Sequence, residues 1–125
     1  MTRETSVLHI GIASRDQMQA RTIAIAQGKL KPAPDDPKVW FVSVESLAQV
    51  LSSQNQLLLD LIRSRRPASI AELAEMSGRA QSNLSRSLRP LERYGLVRLT
   101  KAGHTVRPEV PYDRFSVDFM LPAAA

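Results

Sequence analysis

The sequence predicts an α+β fold that is mainly α-helical, and three observations support this prediction. Residues 54–94 hold three helical apolar patterns, separated by Pro67 and Gly78. Two short strand-like segments follow over residues 96–110, and segments near both ends of the chain alternate apolar and polar residues. Helix, short helix, glycine turn, longer helix and two-stranded ribbon is the order of a winged helix-turn-helix core. Here it has an N-terminal strand-helix-strand extension and a C-terminal strand.

The N-terminal extension alternates between strand and helix signals. In Val7–Ala13 the apolar residues recur at period two, which predicts a strand. Ser14 can cap a following helix of about residues 16–27, which Gly28 ends. After a loop with three prolines, Val39–Ser43 predicts a second short strand.

The C-terminal segment RFSVDFML, residues 114–121, predicts a half-buried strand. Its alternating apolar residues are Phe115, Val117, Phe119 and Leu121. The two terminal strands can pair within one chain or across a twofold axis, and we expect them to build a dimer interface. The alternative is that they only close the sheet of a single chain.

The central helices have clear start and stop signals. Ser43 can cap the first helix, and Pro67 stops the second at about Arg65. A capping box of Ser69 and Glu72 opens a short third helix, which is expected to bury Leu73 and Ile70. The predicted inward residues are Leu47, Val50 and Leu51 in the first helix, and Leu57, Leu58, Leu61 and Ile62 in the second.

The long helix of about residues 80–94, capped by Gly95, has two opposite faces. At about 100° per residue, three leucines form a single buried stripe and a polar row lies opposite. The stripe is Leu84, Leu88 and Leu91, and the row is Ser82, Arg86, Arg89 and Arg93. An ordinary solvated helix usually mixes charges in i,i+4 pairs, and such a helix is the alternative here. Three cations on one face repel each other in water, which is electrostatically unfavourable. Next to a polyanion the same three charges become favourable, because each is attracted to the opposite charge.

A ribbon follows this helix, with its turn predicted at Ala102-Gly103. Lys101, His104 and Arg107 lie at or near its tip, where a wing reaches a minor groove or the DNA backbone. The alternative is a solvent-exposed hairpin with solubilising charges.

The charge distribution indicates an acidic partner. The net charge is +5, and residues 54–107 alone hold ten Lys and Arg against four Asp and Glu, which leaves −1 for the rest. No apolar run is long enough to span a bilayer and no signal-peptide core is visible. The absence of cysteine excludes disulfides and Cys-bearing zinc sites and is compatible with a cytoplasmic protein.

Enzymatic chemistry is not expected. The two histidines, His9 and His104, have no carboxylate at ligand spacing, and the chain has neither a GxSxG motif nor a glycine-rich phosphate loop. The sequence therefore predicts no catalytic residues, no metal and no cofactor.

The segment SIAELAEMSGRAQSNLSRSLRPLERYGLVRL resembles the winged-helix core of the multiple-antibiotic-resistance type (MarR-like) regulators. It resembles more closely a group of small predicted DNA-binding proteins that share a KVWFVSVESLAQVLS segment ahead of that core. The resemblance covers residues 38–111 and implies a homodimer on double-stranded DNA, with the long helix in the major groove. The implied contacts are Gln81, Ser82, Asn83, Ser85 and Arg86 on the helix and Lys101, His104 and Arg107 on the wing. Arg79, Arg89 and Arg93 complete the predicted DNA-binding set.

These observations predict a transcriptional repressor that binds a palindromic operator. The alternative is an antitoxin, which neutralises a partner toxin protein and autoregulates its own operon, as some proteins of the resembling group do.

We expect three segments: a dimerising extension (1–37), the DNA-binding domain (38–111), and a C-terminal strand and tail (112–125). Two features depart from the MarR type: the flanking strands, and Pro90, at which we expect a kink or a restarted helix.

Overall fold

The computed structural model describes residues 6–121, and the chain divides into two compact units. The flanking unit contains residues 1–48 and 112–125, and the central unit contains residues 49–111. The flanking unit holds β1 (Val7–Ile12), α1 (Arg15–Ala26), β2 (Val39–Phe41) and β5 (Arg114–Phe119), while α2 (Val44–Val50) crosses the boundary. The central unit holds α3 (Ser53–Arg65), α4 (Ile70–Ser77), α5 (Gln81–Arg93), β3 (Arg98–Ala102) and β4 (Thr105–Glu109). The predicted α+β, mainly helical fold class is confirmed. The three-segment division stays a prediction.

The flanking unit is built on a parallel three-stranded sheet of order β2-β1-β5. β1 lies in the middle and pairs with β5 along its whole length, from Val7 opposite Arg114 to Ile12 opposite Phe119. The terminal strands therefore pair within one chain. Ser14 caps α1 as predicted, because its Oγ accepts from the Gln17 backbone N–H at 3.1 Å.

β5 is less buried than the sequence predicts. Only Phe115 of its apolar row is half-buried, whereas Val117 is 44% exposed, Phe119 56% and Leu121, just beyond the strand, 79%. The prediction of a half-buried strand is wrong for most of its length. The reason is topological: alternation predicts which side chains share a face, but β5 is an edge strand of the sheet.

Trp40 is held between the backbone of β1 and a cation from α1. A Cβ at Gly11 would lie 2.4 Å from the Trp40 ring, so only glycine lets the ring lie this close to the strand. The Arg21 guanidinium carbon stands 5.4 Å from the centre of the Trp40 ring, and its Nη2 donates to Asp36 Oδ2 at 3.0 Å. The Ala33 backbone N–H and the Arg21 side chain, both bonded to Asp36, hold the pKa of this carboxyl below its usual value.

We expect Gly11→Ala to lower the free energy of unfolding by about 1–3 kcal/mol, because the new methyl group forces the Trp40 ring to move. Chemical denaturation of the variant measures the loss. The matched control is the same substitution in a Trp40→Leu background, where the smaller side chain leaves room and the loss should shrink. An equal loss in both backgrounds would contradict the packing described for Gly11.

The inward face of α3 differs from the predicted one. Leu58, Leu59 and Ile62 are buried, whereas Leu57 is 72% exposed and Leu61 is only half-buried. The predicted stripe is therefore rotated, and the prediction for Leu57 is wrong. Three consecutive leucines at 57–59 satisfy the i, i+3, i+4 pattern in more than one frame, and packing selects between frames that periodicity cannot separate.

α4 and α5 form the predicted helix pair. The Ser69 Oγ accepts from the Glu72 backbone N–H at 3.0 Å and caps α4, which ends at Gly78. α5 continues through Pro90 without restarting, so the expected restart is wrong. The other expectation at this position, a kink, stays a prediction. Leu88 and Leu91 on either side of the proline are buried, and this burial holds both parts of the helix in the same core.

α5 leads into the ribbon through a Schellman motif. The backbone N–H of Leu96 donates to the Leu91 carbonyl at 2.8 Å, and that of Gly95 donates to the Glu92 carbonyl at 2.9 Å. Gly95 has a φ of +78°, as this cap requires.

The ribbon is an antiparallel hairpin of β3 and β4. Its turn lies at Gly103-His104, between the paired residues Ala102 and Thr105, one position later than predicted. Gly103 adopts the positive φ of +65° that two-residue hairpin turns need at their first position. Within residues 6–121, no helix is long and apolar enough to cross a membrane.

We expect Pro90→Ala to stabilise the protein by about 1–3 kcal/mol, because alanine restores the amide that can bond to the Arg86 carbonyl. Urea denaturation at fixed pH measures the change. Ser85→Ala, an exposed substitution on the same helix, is the matched control and should change stability by much less. A loss of stability in Pro90→Ala would mean that the proline ring itself packs into the core.

Candidate nucleic-acid interface

α5 presents one apolar and one cationic face, as its sequence predicts. Leu84, Leu88 and Leu91 are 0%, 1% and 0% exposed. The side chains on the opposite side are all exposed: Ser82, Arg86, Arg89 and Arg93. None of these three arginine side chains forms an ion pair or a hydrogen bond with another residue of the 6–121 range. We call Arg86, Arg89 and Arg93 the arginine row.

The N-terminal part of α5 carries the uncharged polar side chains. They are exposed and comprise Gln81, Ser82, Asn83 and Ser85. The N-cap residue is Ala80, which supplies no side-chain hydrogen bond to the first turn. The backbone N–H groups of that turn therefore have no side-chain cap and can meet an external acceptor.

Arg79 occupies a different position from the other predicted DNA contacts. It is half-buried just before α5, where its Nε donates to Asn83 Oδ1 at 2.8 Å and its Nη2 donates both to that oxygen and to Ser87 Oγ, the latter at 2.6 Å. Arg79 thus positions the Asn83 amide. Sequence reasoning missed Ser87, although positions 79, 83 and 87 repeat every four residues and so fall in line along a helical surface.

The ribbon separates its basic residues between two faces. Lys101 pairs with Val106 and Arg107 pairs with Thr100. Directly opposed residues share a face and successive residues alternate, so Lys101 and Arg107 project from opposite faces. His104 lies in the turn, and Arg98 stands 4.0 Å from Glu109 at the base of the ribbon.

The two units differ sharply in charge. The central unit, residues 49–111, contains ten Lys and Arg against five Asp and Glu, a net charge of +5. The flanking unit contains seven of each and is neutral. The entire net charge of the chain therefore belongs to the unit that carries α5 and the ribbon. Among residues 6–121, no three His, Asp or Glu side chains are grouped so that they could hold a metal ion.

A family model described as HVO_A0114 matches residues 50–117, slightly more than half of the chain. No curated protein sequence matches significantly. Among solved structures, the chain is similar to one described as the crystal structure of the predicted DNA-binding transcriptional regulator from E. coli. The two are 17% identical, with a TM-score of 0.47, and the similarity covers 80% of this chain and 86% of that one.

Proposed function

The chain belongs to the HVO_A0114 family, and we propose that it is a sequence-specific regulator of transcription that binds double-stranded DNA. The observation that carries this proposal is the arginine row of α5, exposed and without acidic partners in the 6–121 range, directly opposite the buried leucines. The proposal includes no catalytic step, cofactor or metal.

The magnitudes favour a polyanionic partner for this face. Arg86 and Arg93 are seven residues apart, so the arginine row extends about 10 Å along the helix. Repulsion among three solvated cations costs little in water, and each i,i+4 pair with an acid would contribute only about 0.2–0.5 kcal/mol. Contacts with phosphates contribute more binding free energy, because each neutralised phosphate releases condensed counterions to bulk solvent. A helix with buried leucines on one face and exposed arginines on the opposite face is thus suited to the major groove.

We assign two kinds of contact to α5. Its N-terminal polar residues and Arg86 meet base edges, since amide and guanidinium groups match the donor and acceptor pattern of purines. Arg89 and Arg93 hold phosphates and fix the orientation of the helix. Arg79 acts through Asn83, whose amide oxygen it already binds.

The ribbon approaches DNA by its tip. A ribbon lying flat on the backbone would use only one of Lys101 and Arg107, because they project from opposite faces. A tip that enters a minor groove places one cation toward each wall, with His104 at the turn.

We also propose that the protein acts as a homodimeric repressor on a palindromic operator, joined through β5. This edge strand exposes Val117 and Phe119, and unpaired strand edges readily add another strand. Two β5 strands related by a twofold axis would form one continuous sheet. The same exposed strand also favours the second candidate function, an antitoxin whose β5 binds a partner toxin protein.

For DNA binding, we expect Arg86→Ala to weaken binding to a duplex selected by this protein from a random pool by about 1–3 kcal/mol and to relax base preference. Lys101→Ala should weaken selected and random duplexes equally and lower the salt slope by about one. Gel retardation over a series of salt concentrations measures both effects.

The charge-matched control is Lys29→Ala, an exposed cation of the flanking unit that should leave both affinities unchanged. Equal losses on the two duplexes for Arg86→Ala would remove its base-reading assignment. The absence of retardation of any duplex at low salt would refute the DNA-binding function.

For assembly, we expect Phe119→Lys to convert a dimer to a monomer, because a charge replaces an apolar contact at the β5 edge. Light scattering after size-exclusion chromatography measures the mass. Val42→Lys is the matched control: Val42 is similarly exposed, at 54%, beside β2 at the other edge of the sheet, and its variant should stay dimeric. A wild-type monomer that binds a co-expressed partner only when Phe119 is intact would favour the antitoxin function.

A further inference from the structure

The turn between α3 and α4 contains the only residue other than glycine that has a positive φ in the 6–121 range. This residue is Arg66, with a φ of +47° and a ψ of +62°. The other positions with a positive φ in that range are all glycines: Gly28, Gly78, Gly95 and Gly103. The left-handed region brings a Cβ too close to the backbone, so it is unfavourable for arginine and readily adopted by glycine.

The fold fixes this conformation on both sides of Arg66. Its backbone N–H donates to the Ile62 carbonyl at 3.0 Å and ends α3. The next residue, Pro67, is fully buried, which sets the path of the chain toward α4. A residue before a proline also prefers extended backbone, and Arg66 departs from that preference as well. An arginine thus stands where a glycine would stabilise the turn.

No contact of the Arg66 side chain within residues 6–121 offsets this strain. The side chain is exposed and forms neither an ion pair nor a hydrogen bond in that range. A cation interacts favourably with the C-terminal dipole of a helix, but the last turn of α3 already contains Arg63 and Arg65. The side chain of Arg65 is also exposed, so the charge of Arg66 adds repulsion beside it. Strain of this kind is typical of residues whose role lies in binding.

We propose that Arg66 binds a DNA phosphate at the turn between α3 and α4, a contact separate from those assigned to α5 and the ribbon. This inference rests on the proposed DNA-binding function. In a helix-turn-helix, the helix before the recognition helix crosses the DNA backbone, and α4 holds that position here. Arg66 lies four residues before Ile70, the first residue of α4, a distance of at most about 14 Å along an extended chain.

The chemistry of the Arg66 side chain fits a phosphate. A guanidinium binds a phosphate through two parallel N–H···O bonds, and this charge-assisted pairing supplies the favourable interaction that the Arg66 side chain does not make in the folded chain. Two adjacent exposed arginines, Arg65 and Arg66, also suit a partner whose negative charges repeat along a backbone. A glycine at position 66 would relax the turn and lose this contact.

A phosphate contact at a strained position predicts opposite effects of one substitution on stability and on binding. In the full chain without DNA, we expect Arg66→Gly to raise Tm by about 2–5 °C, measured by scanning calorimetry. In gel retardation at low salt, the same variant should bind about three- to tenfold more weakly. The loss should be equal on a random duplex and on a duplex selected by the protein, and the salt slope should fall by about one.

Three further variants separate the charge of Arg66 from its backbone. Glycine also loosens the turn, so Arg66→Asn, which is neutral and tolerates the left-handed region, should show the same loss of DNA affinity with a smaller gain in Tm. Arg66→Lys keeps the charge and should keep the wild-type salt slope and Tm. Lys29→Ala removes an exposed cation of the flanking unit and should change neither affinity nor slope.

The outcomes distinguish this inference from the proposed function. A stabilised Arg66→Gly variant with wild-type affinity and salt slope would leave Arg66 without a role in DNA binding. An unchanged Tm would show that the left-handed backbone is not strained, and a loss limited to the selected duplex would assign Arg66 to base edges. A reduced slope in Arg66→Lys would mean that the charge is not what binds. Each of these results would overturn this inference alone, whereas a wild-type protein that retards no duplex would refute the proposed function as well.

Discussion

The packing of Leu84, Leu88 and Leu91 is the constraint on which the proposed interface depends. Each is essentially buried, and full burial of a leucine contributes about 1.5–3 kcal/mol. Together these contributions exceed the roughly 3 kcal/mol cost of Pro90 within the helix and the small repulsion within the arginine row. The leucines therefore fix the rotation of α5, and that rotation decides which polar side chains face outward.

Local signals in the sequence predicted the elements that depend on local chemistry. The Ser14 and Ser69 caps, the glycine that ends α5 and the two faces of α5 each follow from residues within a few positions of one another. The rotation of α3 could not be predicted from the sequence, because three adjacent leucines fit more than one helical frame. The exposure of β5 could not be predicted either, because its place at a sheet edge is a property of the whole topology.

The candidate site likewise combines features that follow from the local sequence with features that depend on the tertiary structure. Periodicity placed the arginine row on one surface, and the structure leaves it exposed. By contrast, the opposite projection of Lys101 and Arg107 depends on the exact hairpin register, which the sequence put one residue away. The hydrogen bonds of Arg79 depend on a side chain folding back onto the next helix. They hold the side-chain amide of Asn83, so the geometry of this predicted DNA contact depends on a residue that lies before α5.

The parallel pairing of β1 with β5 has a consequence for protein synthesis. β1 leaves the ribosome about 100 residues before its neighbour β5, which corresponds to roughly 5–20 s of translation. During that interval β1 can pair with β2 on one side, but its other edge has no partner because β5 has not yet been made. The elements of the central unit, by contrast, all emerge before β5. The central unit is thus free to fold on the nascent chain, and the sheet of the flanking unit closes last.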